Sequence, residues 1–185
     1  MVSDEHPTRG KLLGAARTCL LKHGYAQSTV KRIAAEAGMN HGLIHHYFGS
    51  KDGMWEALVA GEAETMRQEV LAIISGNLAS ISPAELLDRI AGVLAGNAER
   101  TSLLMEFMAI GRQVEGVRKT LRQIIDDRRQ MFTKLLGGGD HVRGTLIFGA
   151  LFGLALQHAM DPGTQLQDAF AEMLRHLVSR PDAMI

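Results

Sequence analysis

Cysteine is almost missing from this chain. Cys19 stands alone among 185 residues, so no internal disulfide framework can form, and such usage fits a reducing cytoplasm. Proline is scarce too, at four residues, and no stretch alternates apolar and polar residues with period two. Both absences speak against a β-sheet. Neither sign of charge prevails, with 20 Lys and Arg against 20 Asp and Glu. Residues 1–7, MVSDEHP, are polar and acidic and do not read as a secretory leader. The most apolar run, GTLIFGALFGLALQ, falls short of the roughly 18–20 residues that a membrane span needs. A soluble, cytoplasmic protein is expected, long enough for one or two domains with a real core.

The zero balance hides an asymmetry. Residues 1–50 hold six Lys and Arg against three Asp and Glu, and five of the eight histidines lie there as well. A mildly basic front points to an anionic partner at that end.

What the chain does have is apolar residues at helical spacing, and the expected fold class is all-α with about nine helices. Leu12, Leu13, Ala16, Cys19 and Leu20 make one face of a first helix over about Thr8–His23, and Gly24 supplies its stop. Ser28 or Thr29 opens a short second helix with Val30, Ile33, Ala34 and Ala37 facing inward. Asn40 starts a third that ends by Phe48–Gly49, and Ser50 caps a fourth running to about Ile74. Further on, Ser82 to Glu85 (SPAE) is a capping box with proline at the first helical position. Val117, Leu121, Ile124, Arg128, Met131 and Leu135 step along one long helix, stopped by Gly137, Gly138 and Gly139. Thr164 to Gln167 (TQLQ) is a second capping pattern and launches a last helix.

The third helix is peculiar. Gly42 sits inside its first turn, where glycine costs about 1 kcal/mol against alanine, and His41, His45 and His46 crowd around it. Helix two, the turn AGM and helix three have the lengths of a helix-turn-helix, with Gly38 where the turn needs a left-handed residue. The start of the second helix of such a motif enters the DNA major groove. A missing side chain at Gly42 would let the backbone approach a base edge or phosphate closely, or else it relieves packing against helix one.

Residues 28–58, STVKRIAAEAGMNHGLIHHYFGSKDGMWEAL, resemble the DNA-binding signature of the TetR family of bacterial transcriptional regulators. Thr29, Ile33, Ala34, Ala37, Gly38, Gly42, Tyr47, Phe48, Ser50 and Lys51 match its pattern in order and spacing, and Ala15, Ala16 and His23-Gly24-Tyr25 extend it backwards. The resemblance implies a helix-turn-helix domain over residues 1–52 and a ligand-binding and dimerisation domain over 53–185. It implies DNA contacts from Thr29, Lys31, Asn40, His41, Gly42, His45, His46, Tyr47 and Lys51, with Thr29, Tyr47 and Lys51 on phosphates. A lysine in a helix's first turn opposes the macrodipole, so a phosphate beside Lys51 makes sense of it; a solvated lysine is the plainer alternative. His41 stands where the family usually has Lys or Arg, and His45 where it commonly has Tyr. Histidine is mostly neutral at pH 7, with an unperturbed pKa near about 6.5, so weaker non-specific binding and a shallower salt slope are expected. A proton on these rings could also tune affinity.

Beyond residue 53 the resemblance is one of layout. Gly149 and Gly153 give a small face to the helix in GTLIFGALFGLALQHAMDPG, and Phe148, Leu151, Phe152 and Leu156 leave more apolar surface than one helix hides. A homodimer interface of this helix and the last one is expected, including Phe170 and Leu174; a wholly intrachain core is the alternative. Leu103, Leu104, Phe107 and Met108 with Met131 and Phe132 could line a pocket for an apolar or amphipathic effector, or could simply be core.

The expected function is a homodimeric, ligand-responsive transcriptional regulator, a repressor that binds a palindromic double-stranded DNA operator and is released by a small-molecule effector. No enzymatic activity, cofactor, metal or membrane partner is expected. A metal-binding protein or enzyme built on His41, His45 and His46 is one rival, although no nucleophile–base pair, phosphate loop or ligand-completing Cys, Asp or Glu supports it. A dimeric interaction protein with a vestigial helix-turn-helix is the other.

Overall fold

The computed structural model describes residues 7–75, 98–135 and 141–161, with isolated positions at 85, 89, 92–93, 138, 168–169, 172–173 and 176. Seven helices are built from them and no strand occurs among the described residues: α1 (Pro7–Gln27), α2 (Val30–Glu36), α3 (Gly42–Phe48), α4 (Lys51–Ile74), α5 (Ala98–Gly111), α6 (Glu115–Leu135) and α7 (His141–Met160). The all-α expectation holds. The helix starts expected at Ser82 and Thr164 lie outside the described residues.

The chain divides into two compact units: residues up to Ala63 with Ser102–Gln123, and Glu64–Thr101 with Ile124 onward. This division follows packing. It is not the cut at residue 52, which separates parts by role and remains a proposal.

In the first unit α1 buries Leu12, Ala15, Ala16, Cys19 and Leu20, the i, i+3, i+4, i+7, i+8 stripe of a helix with one face inward. Ile33 and Ala34 of α2, Ile44 of α3, and Met54, Trp55, Leu58 and Val59 of α4 join this core. Leu103, Phe107, Ile110, Val114 and Val117 are buried within the same unit. Burial pushes the Cys19 thiol pKa up, helped by Glu36; the residue is a small, protonated core side chain. Trp55 is fully buried, and its indole N–H finds no hydrogen-bond partner, at a cost of about 1–3 kcal/mol.

Gly24 interrupts α1 as expected, at φ 72° and ψ 171°, but helical residues resume behind it to Gln27. Two side chains hold the break. Ser28 Oγ donates to Gly24 O at 2.8 Å, and the Tyr25 N–H donates to Glu106 Oε2 at 3.0 Å.

In the second unit Arg100 grips Glu69 through two hydrogen bonds of 2.8 and 2.9 Å. Gly138, at φ 82°, donates its N–H to Thr133 O at 3.0 Å and closes the end of α6, the role expected of the glycine run. α7 lies close on α6. A Cβ on Gly144 would stand 2.8 Å from Arg129 O and Thr133 N and would overlap Thr133 Oγ1. At 20 residues α7 is longer than the run singled out in the sequence, and by length and composition alone it could cross a membrane. Length therefore does not exclude a span, contrary to what the shorter apolar run suggests.

Candidate nucleic-acid interface

The helix-turn-helix is assembled by local caps. Thr29 is the N-cap of α2, and its Oγ1 accepts from Arg32 N at 3.2 Å. Capping uses the oxygen's lone pairs, so the exposed hydroxyl retains its proton as a donor. Gly38 turns the chain between α2 and α3 at φ 64°, the left-handed conformation that the sequence required there. Asn40 then does what an N-cap residue does: its Oδ1 accepts from Gly42 N at 2.8 Å and its carbonyl accepts from Leu43 N at 3.1 Å. The regular helix nevertheless begins at Gly42, with His41 (αR, no side-chain cap bond) as its N-cap, one residue later than the start expected at Asn40.

Gly42 has a local cause that the sequence did not reveal. A Cβ there would lie 3.2 Å from Asn40 Oδ1 and meet nothing else within 4 Å. Packing against α1 is therefore not what requires glycine. The capping carboxamide occupies the space beside it, and outward the backbone is bare.

Of the seven residues of α3 only Ile44 is buried. Asn40, His41, Gly42, His45 and His46 are exposed together at its tip and along its outer side, with Thr29 and Lys31 exposed at the start of α2. His45 Nδ1 lies 3.4 Å from Gly49 O. A carbonyl only accepts, so this contact favours the tautomer with the proton on Nδ1 and an acceptor at Nε2. The His46 ring meets the Tyr47 ring edge to face at 4.9 Å, and Tyr47 is half-buried.

α4 begins beside this face. Ser50 Oγ accepts from Gly53 N at 2.9 Å and its carbonyl from Met54 N at 3.1 Å, the cap expected from the sequence. Lys51 is half-buried, its Nζ 4.8 Å above the Tyr25 ring and 5.9 Å from that of Trp55. Ring faces attract a cation that the helix N-terminus repels. Burial pushes the Lys51 pKa down, and Asp52 pulls the other way.

Three features escaped the sequence reading. Arg9 lies over the Phe48 ring at 5.3 Å, which adds a cation beside the C-terminal end of α3. Gly53 is indispensable for packing, because a Cβ there would collide with the Phe48 carbonyl oxygen; a glycine within a helix's first turn was the available signal. Glu106, far away in sequence, holds the backbone at Tyr25, and nothing local announces that pairing.

The residues expected beyond the head are distributed as follows. Leu103 and Phe107 are buried, Leu104 is half-buried and Met108 is exposed, all on α5. On α6 Met131 is half-buried and Phe132 buried, its ring 6.5 Å from that of Phe148. A cleft of about 460 Å³ along α6 and α7 is lined by Asp126, Arg129, Gln130, Thr133, Lys134, Gly138, His141 and Thr145; none of the six expected pocket residues borders it. On α7 Phe148, Phe152, Gly153 and Leu156 are half-buried and Gly149 is exposed. Added Cβ atoms at Gly149 and Gly153 would meet open space. Phe170 and Leu174 lie outside the described residues. No cluster of three or more His, Cys, Asp or Glu suited to a metal occurs among the described residues.

Comparison with known proteins agrees with this geometry. Residues 12–58 match the profile of bacterial regulatory proteins of the tetR family. The chain is 37% identical over 99 residues to the HTH-type transcriptional regulator BetI 2 of Chromohalobacter salexigens, covering 51% of this chain and 44% of that protein. It is 35% identical over 72 residues to the HTH-type transcriptional repressor AcnR of Corynebacterium glutamicum, covering 38% of each. The chain thus spans less than half the length of these two relatives. In fold it is similar to a TetR transcription regulator from Haloarcula marismortui, with a TM-score of 0.77 at 18% identity over 92% of this chain and 96% of that one.

Proposed function

Since the chain belongs to the tetR family of bacterial regulatory proteins, we propose that it is a cytoplasmic, homodimeric repressor that binds a palindromic operator and releases it when a small effector binds. The observation that carries this reading is the bare tip of α3. A seven-residue helix that buries only Ile44, leaves Leu43, Tyr47 and Phe48 half-buried and exposes Gly42, His45 and His46 contributes little to the core for its length, and its exposed edge is a row of hydrogen-bonding groups.

In this reading residues 1–52 read DNA, and 53–185 bind effector and dimerise. The tip of α3 enters the major groove with Asn40, His41, Gly42, His45 and His46. Asn40 holds the first turn, and an outward His45 Nε2 accepts from an exocyclic amine of cytosine or adenine. Thr29, Lys31, Tyr47 and Lys51 take phosphates. Lys31 is exposed and makes no ion pair among the described residues, whereas Lys51 must leave its ring faces to reach one. A second copy presents the same surface one helical turn away, about 34–36 Å along the duplex. An effector switches the protein only by binding the two states unequally.

Selection from random double-stranded DNA with the purified protein, at two salt concentrations, tests this reading. A palindromic site bound by a dimer is expected, with an affinity that falls as salt rises. Failure to enrich any sequence at low salt would remove the regulator reading and leave an interaction protein in its place.

A further inference from the structure

Arg128 stands on the inner stripe of α6, at a position where the helical spacing of Ile124, Met131 and Leu135 calls for an apolar residue. The structure buries it there, at 7% exposure. Phe132, one turn further, is fully buried, and Ile124, one turn before, is half-buried. An arginine cannot escape burial by losing its proton. A buried charge needs a counter-charge with hydrogen bonds, or it destabilises the protein.

The described residues around it do not supply one. Glu64 is taken by Arg67 through two hydrogen bonds of 2.7 Å, and Glu69 by Arg100 at 2.8 and 2.9 Å. Those two guanidiniums disfavour the charge on Arg128, as burial does, and only Asp127 favours it. Asp127 is the next residue back along the helix and is itself exposed, so water screens much of its pull. Arg128 has no hydrogen bond or ion pair among the described residues. Of the three neighbouring arginines Arg67, Arg100 and Arg128, the first two are matched and the buried one is not.

We propose that Arg128 receives the carboxylate of an amphipathic effector whose apolar body lies beside Ile124 and Met131. This deepens the regulator reading and rests on it. The planar fork of a guanidinium fits a carboxylate with two parallel hydrogen bonds. One unmatched positive charge calls for a monoanion rather than a phosphate dianion. Burial excludes the DNA backbone as the partner, because a duplex phosphate stays at the protein surface.

The test uses the full chain, with octanoate, decanoate and dodecanoate as probes, the matched alcohols as neutral controls and decyl phosphate as the dianion. Calorimetric titration and thermal shift are run on the wild type, Arg128→Met and Arg128→Lys. At least one acid should bind the wild type more tightly than its alcohol and than decyl phosphate. Arg128→Met should weaken that acid roughly 10- to 100-fold, the worth of hydrogen bonds to a charged group, and leave the alcohol unchanged. Arg128→Lys should fall between them. Free Arg128→Met should be at least as stable as the wild type, because no protein partner is stranded.

Acids that bind no better than alcohols, acid binding that survives Arg128→Met, or an Arg128→Met protein that unfolds would each overturn the proposal. Operator selection is independent of these readouts. A chain that selects an operator but ignores every acid keeps the regulator reading and loses this one; a chain that binds acid through Arg128 without any operator does the reverse.

Discussion

Single positions carry most of the distinction between folding and reading DNA. At Gly42 a Cβ meets only the Asn40 carboxamide, at 3.2 Å, and a shift of a few tenths of an ångström relieves that contact. Against it stands the helix propensity that alanine gains, about 1 kcal/mol. Gly42→Ala should therefore leave the stability read by urea denaturation within about 0.5 kcal/mol of the wild type yet, under the proposed function, weaken operator binding, because the methyl group would project where the backbone is proposed to meet DNA. An unchanged operator affinity in a filter-binding titration would show that the glycine serves the cap alone. Lys51 gives a prediction in pH. Its folded pKa lies below the ordinary value of 10.5 because burial disfavours the charge. At neutral pH it is charged in both states, and burial of that charge counts against the fold. As pH rises from the folded pKa towards 10.5, the folded chain has shed a proton that the unfolded chain still holds, so stability rises. The stability of the wild type relative to Lys51→Met, followed by urea denaturation, should accordingly climb through that window; a flat difference would mean that the rings compensate the ammonium fully.

Elements are set by their ends. Gly53 lets the first turn of α4 sit against the last carbonyl of α3, and no flexible side chain is available to yield, since the obstacle is backbone. Gly53→Ala should cost about 1–3 kcal/mol, the usual penalty of overpacking, read as a lower thermal midpoint; a midpoint equal to that of the wild type would mean that α3 and α4 reorient freely. How far such features could be read from the sequence depended on their range. Caps and stops are local chemistry, so Gly38, Ser50 and the glycine run at 137–139 were identified from residue type and neighbours, and the start of α2 was narrowed to Ser28 or Thr29, of which Thr29 is the cap. The stripe of α1 was equally plain because its period is that of the helix. Partners distant in the chain were not legible: nothing at Glu106 says that it binds the Tyr25 N–H, and nothing at Gly144 says that the α6 backbone lies against it. Lys51 falls between these cases. Trp55 is one helical turn away and could have been proposed as its partner; Tyr25, which lies nearer in space, could not.

At the scale of the whole molecule the open question is what covers α7. Val142, Leu146 and Met160 are 67%, 52% and 69% exposed, and with Gly149, Gly153 and Leu156 they follow a 4-3-4-3-4 spacing, an apolar seam of the kind that pairs helices. Glycines with open space above them let a second backbone approach closely, whereas a lone protomer gains nothing from them. Under the proposed function the occupant is a second copy, and the seam sets the distance between the two reading heads. Leu146→Glu separates this from an accidental apolar surface. Because Leu146 is half exposed in the protomer, the charge should barely change the far-UV circular dichroism or the fold of one chain. In a paired seam the same carboxylates would be desolvated beside each other, costing at least several kcal/mol, enough to dissociate a dimer of ordinary affinity. Sedimentation should then show monomers where the wild type is dimeric. Operator affinity should drop by about two orders of magnitude or more, as one half-site loses the help of the other. A wild type that sediments as a monomer, or a Leu146→Glu chain that stays dimeric, would move the pairing surface elsewhere, and with it the half-site spacing that the operator selection is designed to read.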